Sequence, residues 1–169
     1  YENTGNIDHW VRHVFTDSWT WPNAFIDVAD INNDGLMDIL HSPSELAGTY
    51  YRISWFEAPE DPTSLWEEHI IADSIETVVH SIRAGDFDLD GRADVVTAEM
   101  QQGEDPDEVV VYFNLGGNRW ETQVISEDGC HSMRVLDVDG DGDHDIYGAN
   151  WADDVVRLWI NNLRSGDGG

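Results

Sequence analysis

An all-β fold of three repeated units is what this sequence predicts, and three observations predict it. Short runs rich in Val, Ile, Trp, Tyr and Phe alternate with Gly, Asp, Asn and Pro along the whole chain, the pattern of brief antiparallel strands joined by turns. No window carries a sustained apolar stripe at the helical period, so helix should be minor. One combination of strand and aspartate-rich turn also returns at nearly constant spacing, which marks a repeat architecture.

Each unit opens on a tryptophan strand. Trp10-Val-Arg-His13-Val14, Trp66-Glu-Glu-His69-Ile70 and Trp120-Glu-Thr-Gln123-Val124 share one pattern, with Trp spacings of 56 and 54. The aspartate loops follow: Asp30-Ile-Asn-Asn-Asp-Gly-Leu-Met-Asp38, Asp86-Phe-Asp-Leu-Asp-Gly-Arg-Ala-Asp94 and Asp137-Val-Asp-Gly-Asp-Gly-Asp-His-Asp145. Behind each loop stands a short apolar run (Ile39-Leu40, Val95-Val96, Ile146-Tyr147), and a last run closes the unit at Ile53–Glu57, Val109–Asn114 and Val156–Asn161. Four strands in about 50 residues is the make-up of a β-propeller blade. A β-sandwich is the alternative, but it leaves one aspartate loop per unit at a fixed offset without explanation.

The units are therefore three four-stranded antiparallel repeats near 8–58, 64–115 and 118–163, in one segment over 1–163, with 164–169 as a flexible tail. Starting instead at the strand before each loop gives blades near 24–71, 80–125 and 131–162. The third then lacks its outermost strand, while Trp10–Phe15 is a spare strand of that kind. Propellers usually have roughly 4–8 blades. Three units thus imply part of a larger ring, or subunits that share blades.

Composition sets the outer limits. The chain of 169 residues is 40% hydrophobic and 11% aromatic, enough for a packed domain. Asp+Glu number 35 against 8 Lys+Arg, a formal net charge of −27. Such a surface repels nucleic acid and anionic lipid. Cys130 is the single cysteine, so no intrachain disulfide is expected. No apolar run is long enough to span a bilayer, and Tyr1 opens no signal-peptide pattern.

The loops carry the chemistry. Ca²⁺ takes 6–8 oxygen ligands, and side-chain oxygens at positions 1, 3 and 5 curl about one point when a glycine at 6 permits the turn. The carbonyl of position 7 then faces inward. These positions hold Asp30, Asn32, Asp34 and Leu36 in the first loop, Asp86, Asp88, Asp90 and Arg92 in the second, and Asp137, Asp139, Asp141 and Asp143 in the third. An EF-hand needs a glutamate at position 12. His41, Thr97 and Gly148 stand there, so that reading fails. The closing carboxylate is at position 9 instead: Asp38, Asp94 and Asp145. Asp-Gly hairpin turns are the plain alternative, but three in register with the same ninth residue favour three Ca²⁺ sites. Mg²⁺ fits less well, because it retains its waters.

With these loops, the four-strand period and the tryptophan strands, the chain resembles the FG-GAP/VCBS repeat family, whose calcium-binding blades also form integrin α-subunit heads. The run Trp55-Phe-Glu-Ala-Pro59 followed by Trp66-x-x-His69-Ile70 is similar to bacterial VCBS-type proteins. The resemblance implies a β-propeller with Ca²⁺ between the first two strands of each blade, and an extracellular or cell-surface protein used for adhesion or ligand binding. Asn32 departs from the acidic pattern and should weaken its site. The FG and GAP signatures are poorly kept, so an integrin-like partner is not implied.

Two further sets are ligand candidates, for a glycan or a protein. His80-Ser-Ile-Arg83 and His131-Ser-Met-Arg134 recur six residues before the first loop aspartate, on what would be the innermost strand. Satisfying neighbouring backbone is the plainer role for these side chains. Trp10, Trp66, Trp120, Trp55 and Trp159 recur and should pack blades. Trp19, Trp21 and Trp151 do not, and non-repeating loop aromatics are better suited to ligands, with Trp21 and Trp151 the stronger pair. No catalytic motif is present. Three readings follow: a calcium-binding scaffold for a ligand, an assembly subunit whose N-terminal strand completes a neighbour's blade, and, third, part of a polysaccharide lyase or hydrolase using His80 or His131.

Overall fold

A computed structural model describes residues 1–6, 8–22, 24–150 and 154–164. Alternating apolar residues in short runs form strands, and the described residues contain thirteen of them in four antiparallel sheets. The first large sheet is β3 (Ala24–Ala29), β4 (Asp38–Pro43), β5 (Leu46–Glu57) and β6 (Glu67–Thr77), paired in that order. The second is β7 (Val79–Gly85), β8 (Asp94–Glu99), β9 (Val109–Asn114) and β10 (Trp120–Ser126). The third is β11 (Ser132–Leu136), β12 (Asp145–Ala149) and β13 (Val156–Trp159). These are up-and-down sheets compatible with propeller blades.

The sheets follow the division that starts each blade at the strand before its loop, and the third has three strands among the described residues, the outermost being the one it lacks. Of the expected tail, Ser165–Gly169 lie outside the described residues.

Sheets stack because strands present opposite faces at alternate residues. Val95 and Tyr112 of the middle sheet join Leu40, Ile53, Trp55 and Ile71 of the first in one buried cluster. Their chain neighbours Val96 and Val111 join Met133 and Ile146 of the third in another. The middle sheet is thus covered on both sides, which accounts for its continuous Val109-Val-Val run. The first strands of successive sheets lie side by side: Ala84 N donates to Asp27 Oδ2 at 3.0 Å, and Met133 N to Ser81 Oγ at 3.1 Å.

The two ends of this stack keep an apolar face without a following sheet. Leu40 and its equivalent Val96 are fully buried, whereas the third equivalent, Tyr147, is 43% exposed. Leu158, which corresponds to buried Trp55 and Val111, is 46% exposed. At the opposite end Ile26 is 58% exposed, although its equivalents Ile82 and Met133 are buried.

Residues 1–22 cover part of that first end. β1 (Glu2–Asn3) pairs with β2 (Trp10–Val11), Glu2 opposite Val11, in the register that sets Glu57 opposite Glu67. His13–Glu2 at 2.9 Å repeats the His69–Glu57 contact at 2.9 Å. β1 and β2 therefore reproduce the outer half of a blade. Phe15 packs edge-on to Phe56 and His41, and Trp19 joins the same group. Arg52 ties this segment down by donating to Ser18 O and to both oxygens of Glu68.

This packing fixes how acid should act. Burial among the aromatic rings lowers His41 from its ordinary 6.5 to about 4. The folded state therefore refuses a proton that the unfolded chain accepts, and stability is lost as pH falls from 6.5 towards 4. Burial alone would raise Glu68, but hydrogen bonds from Arg52, Ser18 and Ser54 outweigh it and take the carboxyl to about 2. Its contribution is present above 4.5 and disappears between there and 2. Discounted for partial exposure, the His41 share is roughly 1–3 kcal/mol. His41→Phe is expected to flatten stability between pH 6.5 and 4.5, read from urea midpoints.

Candidate metal centres and the inner-strand site

The three aspartate loops connect the first and second strands of each sheet and are built alike. Position 6 needs the left-handed backbone: φ is 91° at Gly35, 86° at Gly91 and 91° at Gly142, a conformation that costs a side-chain-bearing residue. That turn lets the first aspartate receive the backbone behind it. Asp30 takes N–H from Asp34 and Gly35 at 3.0 and 2.8 Å, and Asp86 takes Asp90 and Gly91 at 3.1 and 3.0 Å. Asp137 takes Gly140 and Gly142 at 2.7 and 3.1 Å. Position 5 accepts the N–H of position 7 in each loop: Leu36 to Asp34, Arg92 to Asp90, and Asp143 to Asp141.

The ninth residue is the hub. Asp38, Asp94 and Asp145 are fully buried. Each accepts from position 2 of its own loop and from the end of the third strand. Those donors are Ile31 and Ala58 for Asp38, Phe87 and Asn114 for Asp94, and Val138 and Asn161 for Asp145. Burial, then nearby loop carboxylates, push Asp94 up to about 6 and raise Asp38 as well.

Oxygens of Asp86, Asp88 and Asp94 lie within 4.8 Å of one another, as do those of Asp137, Asp139 and Asp145. Positions 1, 3 and 9 thus converge on one point. In the third loop Asp141 Oδ2 and Asp143 Oδ1 are also buried without a partner, as expected where a cation supplies the missing charge. Position 5 differs in the second loop, where Asp90 is paired with Arg92. In the first, Asn32 turns its amide to Asp34 Oδ2 at 3.0 Å. The Asp143 side chain does more than the sequence suggested, holding Arg164 N at 3.2 Å.

Neighbouring loops are also clasped together, a feature the sequence reading missed. Asn114 Nδ2 of the second sheet donates to Ile31 O in the first loop, and Asn161 Nδ2 of the third donates to Phe87 O in the second, both at 2.8 Å. Asp86 N donates to His144 Nδ1 at 3.0 Å. The signal was the asparagine ending each of these closing strands.

The recurring inner-strand residues separate into two groups. His80 and His131 meet, Nδ1 to Nε2, at 3.0 Å. His80 is 7% exposed, lies under Phe25 with ring centroids 5.1 Å apart, and has Glu45 Oε1 3.2 Å from its Nε2. Burial first, and His131 as well, keep its pKa below the ordinary value. Arg83 and Arg134 instead spend their donors on backbone: Arg83 Nε and Arg134 Nη1 both reach Met133 O. Trp21 donates to Ser44 O at 3.1 Å and leans on Tyr51. Trp151 lies outside the described residues. Glu45, which no repeat pattern marked, completes the histidine group from a strained turn at φ 83°.

Residues 86–148 match the FG-GAP-like repeat model. The chain contains an FG-GAP-like repeat. No curated protein sequence matches it. The FG-GAP span runs from Asp86 to Gly148, so it takes in the whole second loop, β8 to β11, and the third loop up to its buried Asp145.

Proposed function

We propose that this chain, with its FG-GAP-like repeat, is an extracellular, calcium-stabilised module of propeller type that serves as a non-catalytic scaffold for a glycan or protein ligand. The observation that carries the reading is the convergence of Asp86, Asp88 and Asp94, repeated at Asp137, Asp139 and Asp145. A hard cation with all-oxygen ligands suits this donor set. Ca²⁺ would be held by these carboxylates, by Asp30, Asp34 and Asp38 in the first loop, and by the carbonyls of Leu36, Arg92 and Asp143. It supplies positive charge to loops that otherwise hold like charges together. The open loops, with Asp137 and Asp139 exposed, suit the weak affinities of extracellular calcium modules, about 10⁻⁴–10⁻³ M.

Calorimetric titration of chelator-treated protein with CaCl₂ tests this. Three binding events per chain are expected, with the Asn32 loop the weakest. Absence of binding up to 10 mM, an upper limit set roughly tenfold above that affinity range, overturns the reading. The histidine group of His80, His131 and Glu45, at the strand ends away from the loops, is the proposed ligand side.

Self-assembly is a second reading, favoured by one observation. A cavity of about 510 Å³ lies between the second and third sheets, lined by Ile125, His144 and Trp159, and β13 has one edge unpaired among the described residues. The Trp10 strand of a second copy would supply the absent outer strand, displacing β1. Sedimentation as a strict monomer removes this reading.

A further inference from the structure

We propose that Glu76 and Asp107, with Glu99 behind them, hold a hard divalent cation, Ca²⁺ by its donor set, between the first and second sheets at the strand ends opposite the aspartate loops. Asp94 and Glu99 are the two ends of β8. Five steps of about 3.3 Å put the second cluster roughly 17 Å from the loop carboxylate. It belongs to none of the aspartate loops and follows no repeat.

Three observations point to a cation there. Asp107 is 5% exposed, and its Oδ1 is buried with no hydrogen-bond partner. Such an atom costs about 1–3 kcal/mol, more when charged. Gly103 shows where that oxygen points: a Cβ added to this glycine would lie 2.9 Å from Asp107 Oδ1 and 3.0 Å from Glu76 Oε2. A carboxylate of β6 and one of the β8–β9 connection therefore both approach Gly103, with Val78 Cγ2 equally close at 2.9 Å. Glu76 is itself 6% exposed and fixed, taking N–H from Gly48 at 2.6 Å and from Glu104 at 2.8 Å. It cannot swing into solvent without breaking both.

The charge balance points the same way. The ion pairs Arg52–Glu68, Arg92–Asp90 and Arg157–Asp128 are made with other carboxylates than Glu76, Glu99 and Asp107. Burial first, then Glu76, Glu108 and Asp107, push Glu99 up to about 7. Burial, Asp105 and Glu76 raise Asp107 too. Three carboxylates crowded in this way favour a shared proton or a bound cation. An oxygen-only set drawn from a loop and two strand ends suits Ca²⁺, which tolerates irregular geometry. The ion would clamp the end of β6 to the β8–β9 connection and so lock the first sheet to the second.

Metal content after equilibrium dialysis in CaCl₂ provides the test, comparing wild type with Asp107→Asn and Gly103→Ala. The wild type should hold one more Ca²⁺ per chain than either variant, whatever number the aspartate loops contribute, so the outcome is independent of the loop sites. Equal content in all three would mean that the carboxyls merely share a proton, and the proposal falls. Carbon NMR of Glu99 in the wild type needs no variant. Its carboxyl resonance should shift when calcium is added at fixed pH; a Glu99 signal unmoved by calcium overturns the proposal as well.

Discussion

Chelating the calcium proposed for the aspartate loops is expected to lower the melting temperature of this protein by roughly 15–30 °C. Binding to the folded state alone stabilises it by about 2.7 kcal/mol per site when calcium is 100-fold above Kd. Three loops acting together therefore give about 8 kcal/mol, and each kcal/mol moves a chain of this size by about 2–4 °C. The structure explains why the loss falls on the whole fold. Each loop hub, Asp38, Asp94 or Asp145, is fully buried and bonded to the end of the third strand. The asparagine clasps then couple one loop to the next sheet. Without a cation the carboxylates of each loop repel one another around a buried group whose pKa is already raised in two of the three loops. Scanning calorimetry in CaCl₂ and in excess EDTA measures the difference. A melt that does not move after complete chelation would show that the loops are stable as plain hairpin turns.

Much of this molecule was legible because its information is local. The aspartate spacing, the glycine at position 6 and the ninth aspartate lie within nine residues, so the loops could be read directly, and in the second and third the structure brings positions 1, 3 and 9 together. His80 and His131 hold the same offset before their loops, and equivalent places on adjacent inner strands make them neighbours at 3.0 Å. Grouping strands into sheets was harder. A sequence unit beginning at Trp66 cuts across two sheets, because β6 pairs backward with β5 rather than forward with β7. What could not be read is long-range and non-repeating. Asn114 reaches Ile31 across 83 positions. Glu45 joins His80 only because a strained turn places it there. The two recurring arginines, for which a backbone role was the plainer reading and a ligand the alternative, both donate to the carbonyl of Met133.

Asp94→Ala and Asp88→Ala are expected to fail for different reasons, and comparing them separates the structural half of the loop from its metal-binding half. Asp88 accepts one hydrogen bond, from Asp90 N in an exposed turn. Without calcium its loss should cost no more than about 0.5 kcal/mol, as for ordinary surface changes. Asp94 has no such latitude. It takes Phe87 N at 2.9 Å and Asn114 N at 2.8 Å, and both are buried. Alanine leaves two buried N–H groups unpaired, at about 1–3 kcal/mol each, so Asp94→Ala should lose roughly 2–5 kcal/mol even in calcium-free buffer. The pH of the measurement matters. Burial raises the Asp94 pKa to about 6, so at pH 7 the wild type itself carries a penalty for ionising this group, and alanine would relieve it. At pH 5 the carboxyl is largely protonated, still accepts both bonds, and no relief offsets their loss. Urea unfolding at pH 5 without calcium should therefore rank wild type and Asp88→Ala together, with Asp94→Ala well below. In CaCl₂ at pH 7 both variants should bind one ion fewer than wild type. If the two variants instead unfold at the same urea concentration at pH 5, the ninth aspartate is only another metal ligand and not the point where loop and sheet are joined.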